Sequence, residues 1–181
     1  FTKDNVPVIL HDSTINRTSN GTGRIMDLTF DEVREYDFGS WKSEAYAGEK
    51  IPSFQEFIEF CRENSIHPYI ELKTTITQND IDKIQLLLEI VSAAGMQKDV
   101  SWFSFSYNLV EMVKEVNDIP AAIGFGISTP EQAKKMASVS DGAIVGSAIV
   151  KIVAKYGKEC IPEVEKYVKE MKAAVEICMC K

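Results

Sequence analysis

Short runs of apolar, β-branched residues alternate with amphipathic helical patterns along this chain, and that alternation limits what it can fold into. The runs read as strands are Val6–Leu10, Pro68–Leu72, Val100–Phe105, Ala121–Phe125 and Gly142–Val145. Strands rich in Val and Ile that alternate with helices are typical of parallel sheets covered by helices. We therefore expect an α/β fold built from parallel strand–helix repeats.

The number of strands limits the architecture further. A closed barrel of such repeats, the TIM barrel, needs eight strands and typically about 250 residues, whereas this chain has 181 residues. Five predicted strands indicate an incomplete barrel of TIM-barrel type or an open sheet. No Gly/Ser-rich linker interrupts the pattern, so we expect residues 1–181 to pack as a single α/β domain.

Capping residues mark several predicted helix ends. Thr29 precedes a short helix, Ser53 opens an amphipathic one, and Gly95 is placed to end the long helix before it. The closing helix runs from Pro162 to about Val175. Four of its residues are expected to face inward: Val164, Val168, Met171 and Val175.

Composition excludes several classes of function. The net charge of −7 argues against a non-specific binder of nucleic acid or anionic membranes. No apolar run reaches the roughly 20 residues that a membrane span needs. The four cysteines and two histidines lack zinc-ligand spacing. Reduced thiols and a cytoplasmic location are expected.

A first group of motifs lies before about residue 119. His-Asp-x4-Arg-Thr-x2-Gly-Thr-Gly begins at His11, and Ile-Pro-Ser-Phe-x-Glu and Ile-Glu-Leu-Lys follow. In this order, residues 1–119 resemble the glycerophosphodiester phosphodiesterase family. That family is a barrel that uses two histidines for acid–base chemistry and carboxylates that hold a divalent metal ion.

The resemblance implies roles for three residues. His11 matches the second catalytic histidine, Glu71 a metal-binding carboxylate, and Lys73 a basic group near the substrate phosphate. Imidazole is suited to proton transfer near neutral pH, and carboxylate oxygens suit Mg²⁺ or Ca²⁺. Arg17 and Arg24, in the loop after His11, are each expected either to reach a phosphate or to brace that loop.

Residues 1–119 also lack parts of the family pattern. The chain begins at Phe1, downstream of the family's first two strands, which carry the first catalytic histidine and a Glu-x-Asp metal pair. The other histidine, His67, precedes its strand and lies at the end opposite the expected site. We therefore expect a weakly held metal ion and impaired or absent hydrolysis.

A second group of motifs lies in residues 120–176. Gly-Phe-Gly-Ile-Ser-Thr-Pro and Asp-Gly-Ala-Ile-Val-Gly-Ser resemble the C-terminal end of the tryptophan synthase alpha subunit. By this resemblance Gly126, Gly146 and Ser147 bind the phosphate of a small-molecule substrate, helped by a following helix N-terminus. The alternative is that Gly124 and Gly126 serve only a tight turn.

Three functions remain open from the sequence. The first is a metal-dependent phosphoric diester hydrolase, and the second a non-catalytic partial barrel, recombined or engineered, that binds phosphate. The third is a lyase-like relic that needs a partner subunit. An incomplete barrel leaves two strand edges without neighbours, so we also expect a homodimer or higher oligomer.

Overall fold

A computed structural model describes residues 1–73, 81–116, 120–124 and 126–179 of the chain. Its contacts divide the chain into two compact units. The first unit is Phe1–Ile66 with Asp82–Gln97, and the second is His67–Ile81 with Lys98–Lys181. This division does not follow the change of motifs near residue 120. The single-domain organisation of residues 1–181 stays a prediction.

Helices and strands account for most of the described residues. The helices are α1 Phe30–Arg34, α2 Phe54–Glu63, α3 Ile81–Ala93, α4 Tyr107–Val116, α5 Pro130–Ala137, α6 Ser147–Tyr156 and α7 Ile161–Met179. The strands are β1 Tyr69–Leu72, β2 Ser101–Ser104, β3 Ala121–Ile123 and β4 Gly142–Ala143. Short 3-10 helices cover Ile25–Asp27, Glu44–Tyr46 and Gly157–Glu159.

The four strands form one parallel sheet in the second unit, in the order β1-β2-β3-β4. Glu71 stands opposite Phe103, and Phe103 opposite Ala122. Each strand follows its neighbour in sequence, as in a section of a barrel, but the sheet stays open. The predicted α/β class with parallel strand–helix repeats is confirmed.

The two faces of the sheet differ in burial. On one face the side chains of Leu72, Trp102 and Ile123 are almost fully buried, and α4 packs against β2 and β3. On the other face Tyr69 is 75% exposed, and Glu71 is partly exposed. Alternation along a strand therefore places Glu71 on the more open face, where a solute can reach it.

The predicted strand Val6–Leu10 is wrong. Val8 makes only an isolated antiparallel bridge to Ser53. The Ile9 N–H donates to the Pro52 carbonyl, and the Pro7 carbonyl accepts from Phe54. Pro7 has no N–H to donate, and Val6 bonds to Thr2 through both its N–H and its carbonyl. The segment therefore joins no ladder.

The later strands were predicted correctly, although each is shorter than its apolar run. Phe125, which the prediction included in the strand from Ala121, lies outside the described residues. The other differences are at strand ends, where assignments ordinarily vary by a residue or two.

The helix boundaries follow the predicted caps. Thr29 and Ser53 each form a capping box at the start of α1 and α2. Gly95 has a φ of +72°, the left-handed conformation that ends a helix. In α7 Met171 is buried as expected, but Val168 is 44% exposed, so its predicted inward orientation is wrong.

The first unit has a compact apolar cluster under its loops. Ile15, Ile25, Val33 and Ile51 are buried there, with Tyr36 among the residues packed against them. This cluster anchors the loop that follows His11. None of the helices in the described residues is long and apolar enough to cross a membrane.

Candidate functional site

His11 lies in the first unit, directly after the segment that bridges to Ser53. Its side chain is 75% exposed, and its Nδ1 lies 2.8 Å from Oδ1 of Asp12. The imidazole is therefore accessible to a solute and is held on one side by a carboxylate. The sequence predicted His11 but not its partner. The sequence signal for such a partner is an acidic residue next to the candidate catalytic histidine, followed five residues later by an arginine.

Arg17 holds the other side of the Asp12 carboxylate. Its Nε donates to Oδ2 at 2.7 Å, and Nη2 donates to Oδ1 at 3.0 Å. This two-point arrangement is the strongest geometry for a guanidinium and a carboxylate. Hydrogen bonds from Arg17, and then from His11, lower the pKa of Asp12 far below its ordinary value, and Asp12 raises the pKa of Arg17. Of the two predicted roles for Arg17, the structure shows the bracing one.

The loop that carries Arg17 is closed by its own hydrogen bonds. Thr14 forms an antiparallel bridge with Arg24, and the Ile15 N–H donates to the Gly23 carbonyl at 3.0 Å. Ile15 is completely buried in the apolar cluster. A β-carbon on Gly21 would lie 2.5 Å from the Tyr36 ring, so only glycine fits there. The loop thus presents Arg17 to Asp12 from a fixed base.

Glu71 and Lys73 lie at the carboxyl end of β1 in the second unit. Lys73 Nζ is 2.6 Å from Oε2 of Glu71. The side chains are 32% and 19% exposed for Lys73 and Glu71, respectively. The two predicted residues are therefore brought together as an ion pair. Because all four strands are parallel, this end of the sheet also carries the turns after β2, β3 and β4.

Ser104 stabilises the same end of the sheet. Its hydroxyl is fully buried, donates to the Leu72 carbonyl at 2.8 Å and accepts from the Ser106 N–H at 3.0 Å. These bonds tie the end of β1 to the turn after β2. They place Lys73, the next residue after Leu72, on a defined backbone.

Gly126 and Gly146 shape the two later turns. Gly126 has a φ of +62°, where a residue with a β-carbon is strained. Its phosphate-binding role and the alternative turn role both stay predictions. Gly124 is close-packed, since a β-carbon there would lie 3.3 Å from that of Ile144. At Gly146 an added β-carbon meets nothing within 4 Å.

Gly146 is also the N-cap of α6, and Ser147 is the first residue of that helix. No side chain caps this helix start. The backbone N–H groups of a first turn have no acceptors within their own helix and favour an anion. Lys73, Gly126, Gly146 and Ser147 are thus all carried at the carboxyl end of the sheet.

His67 lies at the other end of the strands, as predicted. It precedes β1, and its Nε2 is 2.9 Å from the hydroxyl of Ser101, the first residue of β2. Its ring also contacts Tyr69 at 5.2 Å between centroids. His67 therefore stands at the amino ends of β1 and β2 and does not replace a catalytic histidine at their carboxyl ends.

A site for Mg²⁺ or Ca²⁺ needs a group of side chains that can share the ion. Among the described residues, no three His, Cys, Asp or Glu side chains are grouped so that they could share a metal ion. Glu71 supplies one carboxylate, and Lys73 already neutralises it. Since hard cations are held by several oxygens at once, one paired carboxylate is consistent with the weak binding that the sequence predicts, which stays a prediction.

Two curated relatives share parts of this chain. A glycerophosphodiester phosphodiesterase from Caldanaerobacter subterraneus is 39% identical over 76 residues, which is 42% of this chain and 31% of that protein. The tryptophan synthase alpha chain of Lacticaseibacillus casei is 39% identical over 113 residues, which is 59% of this chain and 42% of that protein. The chain thus spans less than half the length of either relative.

The second of these matches is longer than residues 120–181, so it also takes in residues before position 120. Both predicted resemblances are confirmed, but they overlap along the chain instead of meeting near residue 120. Two families built from the same strand–helix repeats can share such a stretch.

A solved structure shares the fold over almost the whole chain. An Oleispira antarctica phosphodiesterase, in complex with its product sn-glycerol-3-phosphate, superposes with a TM-score of 0.70 at 20% identity. The superposition covers 97% of this chain and 82% of that one. The model of the glycerophosphoryl diester phosphodiesterase family matches residues 1–178. Because that match takes in nearly every residue, this chain belongs to the glycerophosphoryl diester phosphodiesterase family.

Proposed function

We propose that this chain binds a glycerophosphodiester and hydrolyses it to a phosphomonoester and an alcohol. The observation that carries the proposal is the family match through residues 1–178, which includes His11, Glu71 and Lys73. Hydrolysis adds the oxygen of water to phosphorus and breaks the bond to the alcohol oxygen. The attacking water must lose a proton and the leaving oxygen must gain one. His11 is suited to accept the proton of the water and then to deliver it to the leaving oxygen.

The accessibility of His11 supports this role. Its ring is 75% exposed and Asp12 contacts only Nδ1, so Nε2 is the nitrogen that can face a substrate. Imidazole donates and accepts protons near neutral pH, unlike the other side chains of the His11 loop.

Phosphate binding is assigned to the carboxyl end of the sheet. Lys73 provides a cation, and the first turn of α6 at Gly146 and Ser147 provides backbone N–H groups. A β-carbon on Gly146 would meet no protein atom within 4 Å, which leaves space there for a ligand. Weak binding of Mg²⁺ or Ca²⁺ at Glu71 stays a prediction.

A second candidate function is phosphate binding without turnover. The observation that favours it is the Glu71–Lys73 ion pair, together with the lack of a three-ligand metal group among the described residues. A site of this kind retains a cation and N–H donors for an anion but has no assembled metal centre.

Turnover is tested by measuring alcohol released from glycerophosphocholine, with and without added Mg²⁺ or Ca²⁺. We expect release that His11→Ala abolishes and His67→Ala leaves unchanged, because His67 stands at the amino ends of the strands. Equal activity in wild type and His11→Ala would refute the proton-transfer role. A dependence on either ion would support the metal prediction.

Binding is tested separately by calorimetry with inorganic phosphate. We expect Lys73→Met and Gly146→Asp to weaken binding, the second through charge repulsion. Gly146→Asn is the matched control, since it adds a side chain of the same size without charge. Binding without turnover favours the second candidate, and the absence of both refutes both.

A further inference from the structure

His11, Asp12 and Arg17 form a chain of three side chains, of which the proposed function uses only His11. Asp12 contacts His11 through Oδ1 and Arg17 through both oxygens, at 2.8, 2.7 and 3.0 Å. All three residues lie in the first unit. Such a chain fixes both the position of a carboxylate and the nitrogen of the imidazole that it contacts.

We propose that Asp12, held in place by Arg17, is a positioning residue that keeps the proton of neutral His11 on Nδ1 and leaves the Nε2 lone pair open to substrate. This inference rests on the proposed function for its role in turnover. The positioning itself is a property of the free protein and can be measured without any substrate.

The proton of the hydrogen bond between Asp12 and His11 lies on His11, because Asp12 is the acceptor. A carboxylate that is ionised can only accept a hydrogen bond, so the proton between Asp12 and His11 belongs to Nδ1. Asp12 stays ionised because Arg17 donates two hydrogen bonds to it. A free imidazole in water favours the proton on Nε2 instead, so this contact reverses the ordinary preference.

The orientation of the ring follows from the same contact. His11 is 75% exposed and Asp12 is 28% exposed, so little packing restrains the ring. A single hydrogen bond to a carboxylate that is itself anchored therefore sets its direction. When Nδ1 is fixed by such a hydrogen bond, the imidazole presents Nε2 to the substrate in a single tautomer. General acid–base catalysis requires a defined tautomer.

Arg17 is needed because Asp12 is also on an exposed loop. The guanidinium of Arg17 contacts both carboxylate oxygens. The loop backbone that carries Arg17 is held by the bridge between Thr14 and Arg24. Lysine cannot reproduce a two-point contact. Arg24, in the same loop, contacts the sulfur of Met26 instead, so it serves as a matched control.

The direct test is the tautomer of His11, read from the ring-nitrogen chemical shifts of ¹⁵N-labelled protein. The chain has two histidines, so His67 is an internal reference. We expect the Nδ1–H form of His11 to predominate in wild type and in Arg24→Gln. In Asp12→Ala the Nε2–H form should predominate, and Arg17→Gln should lie between the two. An Nε2–H majority in wild type, or no change in Asp12→Ala, overturns the proposal.

Turnover of glycerophosphocholine provides the second measurement. Proton transfer by a positioned group contributes about 100- to 10,000-fold in rate, and we expect Asp12→Ala to lose about 10-fold or more of kcat with little change in KM. Asp12→Glu should recover part of the loss. An unchanged kcat overturns the catalytic part of the inference. A chain with no turnover but the expected tautomer refutes the proposed function and leaves the positioning role standing.

Discussion

Lys114 Nζ donates to both carboxylate oxygens of Asp141, at 3.0 and 2.9 Å. The same carboxylate accepts the N–H of Ala121, the first residue of β3, at 2.8 Å. Asp141 directly precedes β4. Its side chain therefore joins the last turn of α4 and the starts of β3 and β4, at the end of the sheet opposite Lys73.

Asp141→Ala should destabilise the protein more than Lys114→Met. The first change leaves the Ala121 N–H without its acceptor, at a cost of about 1–3 kcal/mol. The second removes only a partly exposed ion pair, worth about 0–1 kcal/mol. Urea unfolding followed by circular dichroism measures both. Equal losses for the two variants would show that the backbone contact contributes nothing.

The Asp141 contacts should also make the free energy of unfolding depend on pH in the acidic range. Burial raises the pKa of Asp141, but the Ala121 N–H and Lys114 lower it more, so the net pKa is below its ordinary value. A lowered folded-state pKa gives stability that is present above the unfolded pKa and is lost as the pH falls through the folded one. Below about pH 4, wild type should lose more stability than Asp141→Asn. Parallel pH profiles for the two proteins would contradict this.

Ser104→Ala should lower the free energy of unfolding by about 1–3 kcal/mol. The hydroxyl of Ser104 is fully buried and bonds both the Leu72 carbonyl and the Ser106 N–H. Alanine leaves both of these groups without that partner. Ser138→Ala, at an exposed serine whose hydroxyl bonds the Lys135 carbonyl, is the control and should change stability by less than about 0.5 kcal/mol. A comparable loss in both variants would refute the argument.

Gly39→Ala should be severely destabilising, by about 2–4 kcal/mol. A β-carbon at Gly39 would lie 1.7 Å from the Tyr46 carbonyl oxygen, so the backbone of that loop must move. Gly48 provides the comparison, because its φ is +86° but nothing lies within 4 Å of an added β-carbon. Gly48→Ala should cost only about 1–2 kcal/mol of left-handed strain. Thermal melts rank the two, and the reverse order would be incompatible with the predicted clash.

The strand edges should lead to self-association. In the four-stranded sheet β1 and β4 each have one neighbour, and an edge strand invites another copy. We expect a dimer or higher oligomer by sedimentation equilibrium. Tyr69→Lys, on β1 where the side chain is 75% exposed, should reduce the mass. Phe60→Lys, 56% exposed on α2, should not. A monomeric wild type would refute the prediction.

Local signals explain which elements could be predicted. Thr29, Ser53 and Gly95 act through hydrogen bonds or dihedral angles of neighbouring residues, so the sequence alone locates the helix ends. The segment Val6–Leu10 has the composition of a strand, but its partner is a turn that lies distant in sequence. No local pattern specifies that partner.

In the candidate site, too, the sequence predicts what depends on neighbouring residues but not what depends on distant contacts. His11, Glu71 and Lys73 follow from motifs, and the Glu71–Lys73 contact follows from their spacing on one strand end. That Arg17 braces Asp12 depends on how its loop closes around Ile15. The sequence left both roles of Arg17 open because loop closure is a property of the packed core.

Helix α6 contains no fully buried side chain, and its Val150 is 66% exposed. By contrast, α4 buries Leu109 and Val110 almost completely. The amide hydrogens of α6 should therefore exchange with deuterated solvent well before those of α4. A phosphate held at the start of α6 would order a segment that opens readily, which reduces its affinity. Any contact that rigidifies α6 would then tighten anion binding without touching the anion.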